Sequence, residues 1–482
     1  MSAIDYLVVA LYLVILLGIG WRYRTRSENA REYFLAGRGM GYFPIGLSVM
    51  VTSFSAINFL ALPGEVAGYG LYVLASFPVF FLSAWVVAKF WMPFLLNRET
   101  VSLYEILERR FDYRVRALAS GLFLLWRFFW MATALYATAR IMGVLTGIPL
   151  PAAILTGGII ATLYTAAGGM RAVMWTDVLQ FFVLFGGILL GVVFALSGEG
   201  DALEIAFEGG KLRPFAPFDP AYFSFDPTLR MTFWSALAGV SVAFLSRYGA
   251  DQMVVQRYFT AKSLSAARRG LWLNAFVSVI SLSLLVVFGL AVYVHSVRTG
   301  AISSHVSAIG LIARMIRDFP AGVTGVIAAA LLAATMSSID SGINSCSAAY
   351  LTDFHSRFFR RPLPGMVLSG CIGAAVTLLA LLAIPLLAEA NTLFMIVNKF
   401  INGLGSPLLT LVLLALIPGR FNAKGVFYGG IAGLAASLAI SFGVKSLALQ
   451  YYAVVNLAVT MLCCLLLSVF FDWKGRPGNF RS

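Results

Sequence analysis

Hydroxyl side chains and a carboxyl group share one apolar segment, AALLAATMSSIDSGINSCSAAY. If the segment is helical, at about 100° per residue, four of the hydroxyls form a single stripe: Ser337, Ser338, Ser341 and Ser345. Asp340 lies beside this stripe. Hard alkali cations prefer oxygen ligands, and a row of hydroxyls provides them without excess negative charge. The segment therefore predicts a cation site, and its chemistry is that of a sodium site.

Two carboxylates lie at predicted membrane depth, where a charged side chain is costly and indicates function. Asp340 needs a cation, a proton or a basic partner. Asp177, in GGMRAVMWTDVLQFF, is about one turn inside another apolar run. It is either a second functional carboxylate or a residue near a helix start that interacts with Arg171 or caps free amides. The serines alone could instead serve close helix packing.

Two apolar runs are interrupted by polar residues. The second run reads LSVMVTSFSAINFLALPGEVAGYG, and the seventh contains AGVSVAFLSRYGADQ. Poorly helical backbone at membrane depth is tolerated only where it faces protein or a water-filled cavity. The two breaks open two successive blocks of five runs, an arrangement typical of transporters with inverted repeats and discontinuous first helices.

The composition predicts a polytopic α-helical membrane protein. The chain has 482 residues, 60% hydrophobic and 12% charged, with a mean hydropathy of +0.87, too apolar for a water-soluble core. A membrane helix needs about 20 apolar residues, and the long runs exclude the short alternating strands of a barrel. We predict about thirteen spans: 4–22, 42–68, 71–97, 115–145, 150–167, 173–197, 231–248, 270–295, 320–352, 365–389, 392–417, 424–443 and 450–471.

The net charge of +14 is best understood from where the basic residues lie along the chain. With the N-terminus outside and the C-terminus cytoplasmic, most Lys and Arg residues fall in cytoplasmic segments, Arg247 and Arg257 among them, as the positive-inside rule predicts. Such a surface interacts with anionic lipid and needs no nucleic acid. We therefore expect an integral protein of the cell membrane, inner or plasma.

Four motifs resemble the sodium:solute symporter family, which includes sodium/glucose, sodium/proline, iodide and sialic acid transporters. They are SLYEILERRF at 102–111, GGMRAVMWTDVLQ at 168–180, DQMVVQRYFTAKSLSAAR at 251–268 and AATMSSIDSGINS at 333–345. The resemblance covers nearly the whole chain. It implies a five-plus-five inverted-repeat, LeuT-like core that works by alternating access. Residues 1–482 would form a single transmembrane domain, divided into an extra helix at 4–22, repeats at 42–197 and 231–417, and two extra helices at 424–471.

The resemblance also implies ion sites. Matched on the LPG at 62–64 and the paired serines, the sodium ligands would be the carbonyls of Val51, Phe54 and Ala334 with the hydroxyls of Ser337 and Ser338. Some family members use the TDVLQ aspartate for a second cation site or an exit relay. That residue is Asp177 here, with Ser341 and Asp340 as partners. Asp340 departs from the family pattern, which usually has a small neutral or hydroxyl residue there, and it leaves the ion and the stoichiometry open.

The solute site implied by the fold lies beside the first break. Its candidate residues are Ser55, Asn58, Phe77, Arg127, Trp130, Arg247 and Asn402. Arg127 would suit a carboxylate solute, because a guanidinium binds carboxylates with two hydrogen bonds. It could equally pair with Asp340 or extend toward the membrane surface. Arg247 could equally be interfacial.

We therefore predict a sodium-coupled symporter of a small organic solute, a sugar, monocarboxylate, sialic acid or amino acid. Sodium is the coupling ion, and the sequence indicates neither a nucleic-acid nor an obligate protein partner. A proton-coupled carrier on the same fold is the first alternative, and a channel or transporter-like sensor is the second. An enzyme is disfavoured, because the three histidines lie near span ends or loops and no nucleophile with a base appears.

Overall fold

The computed structural model describes residues 1–24, 30–96, 100–197, 200–300, 308–388, 393–419, 421–444 and 446–474. Over these ranges the regular structure is helical, with two isolated β-bridges besides. The prediction of an all-α fold is confirmed.

Twenty-two α-helices follow one another along the chain, linked in places by 3₁₀ or π turns. They are α1 Ala3–Arg22, α2 Ala30–Leu35, α3 Tyr42–Ser53, α4 Ala56–Tyr69, α5 Phe77–Val86, α6 Met92–Leu96, α7 Glu105–Arg110, α8 Tyr113–Thr146, α9 Leu150–Leu196, α10 Ala202–Glu208, α11 Phe233–Ser235, α12 Ser241–Leu245, α13 Gln252–Phe259, α14 Leu264–Arg298, α15 Ala308–Arg317, α16 Val323–Tyr350, α17 Ser356–Phe358, α18 Gly365–Leu382, α19 Ile384–Ala388, α20 Leu393–Leu416, α21 Ala423–Gly443 and α22 Tyr451–Lys474.

Ten helices in the described residues are long and apolar enough to cross a membrane, or eleven if the bent pair α3 and α4 is one span. Two of the predicted runs, 150–167 and 173–197, lie on either side of a break at Gly169 within the segment α9. Another, 231–248, is divided among short helical segments. The chain is thus an integral membrane protein, and the number thirteen stays a prediction.

The long helix α9 changes direction at a glycine. Its 47 residues would extend about 70 Å if straight, more than twice the hydrocarbon thickness of a bilayer. Gly169 has φ 58° and ψ −158°, which interrupts the helix. A Cβ atom there would lie 2.7 Å from the Tyr33 carbonyl oxygen. Only glycine satisfies both the backbone angle and this contact.

Both predicted interruptions are present. Helix α3 ends at Ser53, Phe54 and Ser55 are extended, and α4 then departs at 63°. The second lies at the π turn Ser246–Ala250, after which Asp251 is extended and caps α13 through the Met253 N–H. Each break leaves backbone groups at a helix end without helical partners.

Helix α16 occupies the interior of the bundle. Residues 333–349 are all buried, and the helix packs against α3, α8, α9 and α18, with α1 alongside. Its serines and its aspartate therefore face protein and not lipid, as membrane-buried polar groups require.

Candidate functional site

The hydroxyls of α16 meet the broken end of α3. Ser337 Oγ lies 3.1 Å from the Val51 carbonyl oxygen and 3.0 Å from the Ala334 carbonyl oxygen. Ser338 Oγ donates to the same Ala334 oxygen at 3.2 Å. The N–H of Phe54 donates to the Val51 oxygen at 3.1 Å. All of these residues are buried, so the structure brings four predicted sodium ligands together and places Phe54 next to them.

Local backbone structure explains this convergence. Because α3 stops at Ser53, the carbonyls of its last turn lack the N–H groups of a following turn. On α16, Ser337 and Ser338 bond back to the carbonyl three or four residues earlier, as serines in membrane helices commonly do. The result is a small set of neutral oxygens that converge from two helices, a donor set suited to one alkali cation.

A buried ion pair lies beside Ser48, in the middle of α3. Arg257 Nη2 is 3.0 Å from Asp177 Oδ2, and both side chains are fully buried. Ser48 Oγ accepts from Arg257 Nε at 2.6 Å and donates to Asp177 Oδ2 at 2.5 Å. The partner of Asp177 is thus Arg257 and not Arg171, whose guanidinium donates to the Ala36 carbonyl instead.

Asp340 belongs to the same network. Its Oδ2 accepts from the Tyr164 hydroxyl at 2.8 Å, and its Oδ1 accepts from Ser341 Oγ at 3.1 Å. Ser341 also accepts from Arg257, so it joins the two carboxylates. The network holds two carboxylates and one guanidinium, all fully buried.

Arg257 is fully buried on α13. Positive-inside counting assigned it to a cytoplasmic segment, and that assignment stays a prediction. Sequence reasoning did not identify Arg257, Ser48 or Tyr164 as site residues. The available signal was the DQMVVQRYF motif itself, because an Arg within a family-like motif can be internal.

Arg127 is buried and pairs with a carboxylate other than Asp340. Its Nε donates to Asp251 Oδ1 at 3.2 Å, and a second nitrogen contacts Asp251 Oδ2. Its guanidinium also lies 4.4 Å from the Trp126 ring centroid. Asp251 is the N-cap of α13, so the second break brings this carboxylate to α8. Arg127 therefore has a protein counter-ion and does not pair with Asp340, and it lines a small cavity together with Trp130 and Arg247.

A cavity of about 410 Å³ adjoins the first break. Ser53, Asn58 and Arg247 line it, and Arg247 Nη1 donates to the Ser53 carbonyl at 3.3 Å. Arg247 was also assigned to a cytoplasmic segment by sequence. The structure places it at the cavity, because the π turn at Ser246–Ala250 keeps this stretch inside the bundle.

A second cavity, of about 90 Å³, shares Asn58 and Arg247 with the first. Trp130 and Asn402 also line it, so the structure brings four of the predicted solute-site residues to one place. Ser55 is buried and donates to Asn58 Oδ1 at 3.1 Å, which orients that amide.

Phe77 does not line either of these cavities. Ser76 and Phe80 line the larger one instead. Residues four apart share a helix face, whereas Phe77 is turned away by about a quarter turn. The sequence-based choice of Phe77 is therefore one position out of register.

The larger cavity carries positive charge. Arg230, Arg247 and Lys399 line it. Arg230 is paired with Glu65 through two contacts of 2.7 Å, whereas in the described part of the chain no ion pair to a carboxylate is found for Arg247 or Lys399. Lys399 Nζ lies 5.4 Å from the Tyr452 ring centroid. Such a cavity favours an anion.

Comparison with solved structures confirms the transporter fold. The chain is similar to the substrate-bound outward-open state of a Na+-coupled sialic acid symporter, with TM-score 0.87, 26% identity and 98% of each chain covered. The fold is also that of Mhp1, a nucleobase-cation-symport-1 family transporter, at TM-score 0.59 and 16% identity, with 91% of this chain and 94% of that chain covered.

Sequence comparison gives the family. The sodium-coupled monocarboxylate transporter 1 of Homo sapiens is 30% identical over 464 residues, 92% of this chain and 73% of that protein. The sodium/glucose cotransporter of Vibrio parahaemolyticus is 28% identical, over 96% of this chain and 89% of that protein. The sodium:solute symporter family model matches residues 33–433, most of the chain. The chain therefore belongs to the sodium:solute symporter family.

Proposed function

We propose that this protein is a sodium-coupled symporter whose solute is a small organic anion with a carboxylate group, carried by alternating access. Membership in the family makes the chain a transporter and not an enzyme. The observation that carries the choice of solute is Arg247, a cavity-lining guanidinium with no carboxylate partner in the described residues.

Arg247 suits a carboxylate for physical reasons. A guanidinium offers parallel donors that match two carboxylate oxygens, and charge-assisted bonds of this kind are strong in a partly buried site. Arg127 and Arg230 already have such partners in Asp251 and Glu65. Asn58, Trp130 and Asn402 would then contact the rest of the solute.

The proposed sodium site consists of the carbonyls of Val51, Phe54 and Ala334 with the hydroxyls of Ser337 and Ser338. Support comes from the contacts of 3.0–3.2 Å among these groups. Because Val51 and Ser53 belong to the same last turn of α3, sodium would stabilise the backbone that Arg247 contacts. Ion and solute would then favour one conformation of the break, which is the thermodynamic condition for coupling.

A second ion site is proposed at Asp177, Asp340 and Ser341, and it includes Arg257. In this network Arg257 pairs with Asp177, and Ser341 links Arg257 to Asp340. If both carboxylates are ionised, one negative charge is left for a second cation, sodium or a proton. Because a proton meets this charge count as well as sodium does, a proton-coupled carrier is the second candidate function.

We further propose an outside N-terminus, a cytoplasmic C-terminus and repeats at 42–197 and 231–417, in a protein of the cell membrane. The two helix breaks open the two proposed repeats. Thr228 and Arg230, from the segment predicted outside, line the larger cavity, which would then open outward. Neither nucleic acid nor an obligate protein partner belongs to the proposal.

Uptake into proteoliposomes tests the solute class. We expect a sodium gradient to drive uptake of pyruvate or lactate in preference to glucose or proline. Arg247→Gln should raise the KM for the carboxylate about 10- to 100-fold, the loss expected for hydrogen bonds to a charged group. Arg230→Gln, at the same cavity but paired with Glu65, is the control. Equal uptake of glucose, or an unchanged KM in Arg247→Gln, would reject an anionic solute.

Sodium activation tests the ion site. Ser337→Ala and Ser338→Ala each remove one proposed ligand and should raise the sodium concentration for half-maximal uptake. Ser345→Ala is a matched control on the same helix, because among the described residues the Ser345 hydroxyl bonds only to the Ser341 carbonyl. If the control and the two site variants show the same sodium dependence, the site is elsewhere.

A further inference from the structure

A groove of about 740 Å³ lies on the outside of the bundle between α1, α9 and α18. Its lining is almost entirely apolar and includes Leu17, Trp21, Leu163 and Met366. These side chains are exposed, with Trp21 70% and Leu163 59% accessible. In an integral membrane protein such a surface faces lipid chains and not water.

Basic and aromatic residues at one end of the groove indicate its position relative to the bilayer surface. Arg24 lines one end, and its guanidinium lies 5.0 Å from the Trp21 ring centroid. Nearby, the rings of Tyr23 and Trp175 stack with centroids 6.4 Å apart. Exposed Trp and Tyr rings mark the headgroup level of a bilayer, so the groove extends from that level into the hydrocarbon.

The basic end faces the cytoplasmic leaflet in the proposed orientation. Arg22 is the last residue of α1, and Arg360 and Arg361 precede α18. All three side chains are exposed. Basic pockets between membrane helices on the cytoplasmic side are suited to anionic headgroups.

We propose that this groove is a binding site for one anionic phospholipid, with an acyl chain against Leu17, Leu163 and Met366 and the phosphate at Arg24. The apolar length and the single basic end match the two parts of a phospholipid. The site is separate from the solute cavity. Tyr164 connects the groove to the buried network, because it lines the groove and its hydroxyl donates to Asp340 Oδ2 at 2.8 Å.

Two glycines allow the groove to be filled without disturbing the helices. A Cβ at Gly18 or Gly370 would meet no atom within 4 Å, and both residues line the groove. Gly18→Leu and Gly370→Leu therefore place a side chain where the lipid chain would lie. Gly121→Leu is the matched control, because Gly121 also has open space but lies on α8 outside the groove.

Native mass spectrometry of the purified full-length protein, titrated with phosphatidylglycerol or phosphatidylcholine of identical chains, tests the proposal. We expect one tightly held phosphatidylglycerol in the parent protein, lost in both groove variants and kept in Gly121→Leu. Arg24→Gln should weaken phosphatidylglycerol binding about fivefold and leave phosphatidylcholine unchanged, as removal of one basic residue near an anionic surface predicts.

Three results would overturn the proposal. The first is equal binding of the two lipids by the parent protein. The second is undiminished phosphatidylglycerol binding in both groove variants, checked by their unfolding temperatures to be folded. The third is a dimer in the spectra that Gly18→Leu or Gly370→Leu abolishes, since a second copy of the chain would then cover the groove.

Discussion

Arg257 and Asp177 form the most deeply buried ion pair in the described part of the chain, with both side chains fully inaccessible. A pair of this kind is a weak source of net stability, because taking two charges out of water costs about as much as their attraction returns. Removing one member of the pair is nevertheless costly. The remaining charge is then buried without a counter-ion and without water to solvate it.

Removal of the guanidinium should therefore destabilise the protein strongly. We expect Arg257→Met to lower the free energy of unfolding by about 3–5 kcal/mol, the usual cost of leaving a buried charge unpaired. Asp177→Asn in the Arg257→Met background should recover part of the loss. The unfolding temperature in detergent measures both effects. A double variant no more stable than Arg257→Met would show that Asp177 is not the charge responsible.

Asp340 is the residue whose substitution should change ion coupling more than folding. An asparagine can still accept the Tyr164 hydroxyl bond, so the fold should persist. Asp340 and Ser337 are three residues apart on α16, with about 5–6 Å between their Cβ atoms, and at that separation one charge is worth on the order of 3 kcal/mol. We expect the sodium concentration for half-maximal uptake to rise at least tenfold in Asp340→Asn. Unchanged sodium dependence and stoichiometry would remove Asp340 from the ion sites.

At the scale of elements, the sequence was most informative where a rule of membrane structure was broken. Polar residues in the second and seventh apolar runs predicted the interruptions found after Ser53 and at Ser246–Ala250. The hydroxyl stripe of α16 likewise predicted a helix that faces protein. These features are local, because helical periodicity and the cost of unpaired backbone groups in lipid act within one segment.

Contacts between distant segments were not predictable in the same way. Arg257 and Asp177 are 80 residues apart, and Arg127 and Asp251 are 124 apart. Charge counting treats every basic residue beside an apolar run as exposed, so it assigned Arg247 and Arg257 to the cytoplasm. The partner of Arg257 becomes visible only when α13 packs against α3 and α16 and brings this guanidinium to Asp177.

The bend in α9 gives a prediction for an element. Gly169 has a positive φ with an extended ψ, a region that is nearly restricted to glycine and costs other residues about 1–3 kcal/mol. Gly169→Ala should therefore destabilise the protein by at least that amount, with the Tyr33 carbonyl contact adding to it. Gly186→Ala, on the same helix with open space around its Cβ, is the control and should be neutral. Equal unfolding temperatures for the two variants would contradict this account of the bend.

For the molecule as a whole, the cationic side chains lie along the two cavities that would form the solute path. Arg230 and Glu65 lie at the part of the larger cavity nearest the segment predicted outside, and Arg247 lies next to the break. The smaller cavity continues from Arg247 toward Trp130 and Asn402. An anion entering from outside would thus meet cationic groups before it reaches the sodium ligands, which lie across the same broken helix.

Ser278 allows this path to be examined, because it lines the larger cavity on α14 and is neither charged nor part of either proposed ion site. In a background where the exposed Cys371 is replaced by serine, Ser278→Cys should react with a membrane-impermeant thiol reagent added outside the cell. A transported carboxylate, in the presence of sodium, should slow the reaction by filling or closing the cavity. The same reagent should not reach Ser356→Cys on α17, which the proposed orientation places in the cytoplasm. Labelling of Ser356→Cys from outside would show that the orientation is the reverse of the one proposed. If solute and sodium together left the labelling rate of Ser278→Cys unchanged, the cavity would not be part of the transport path.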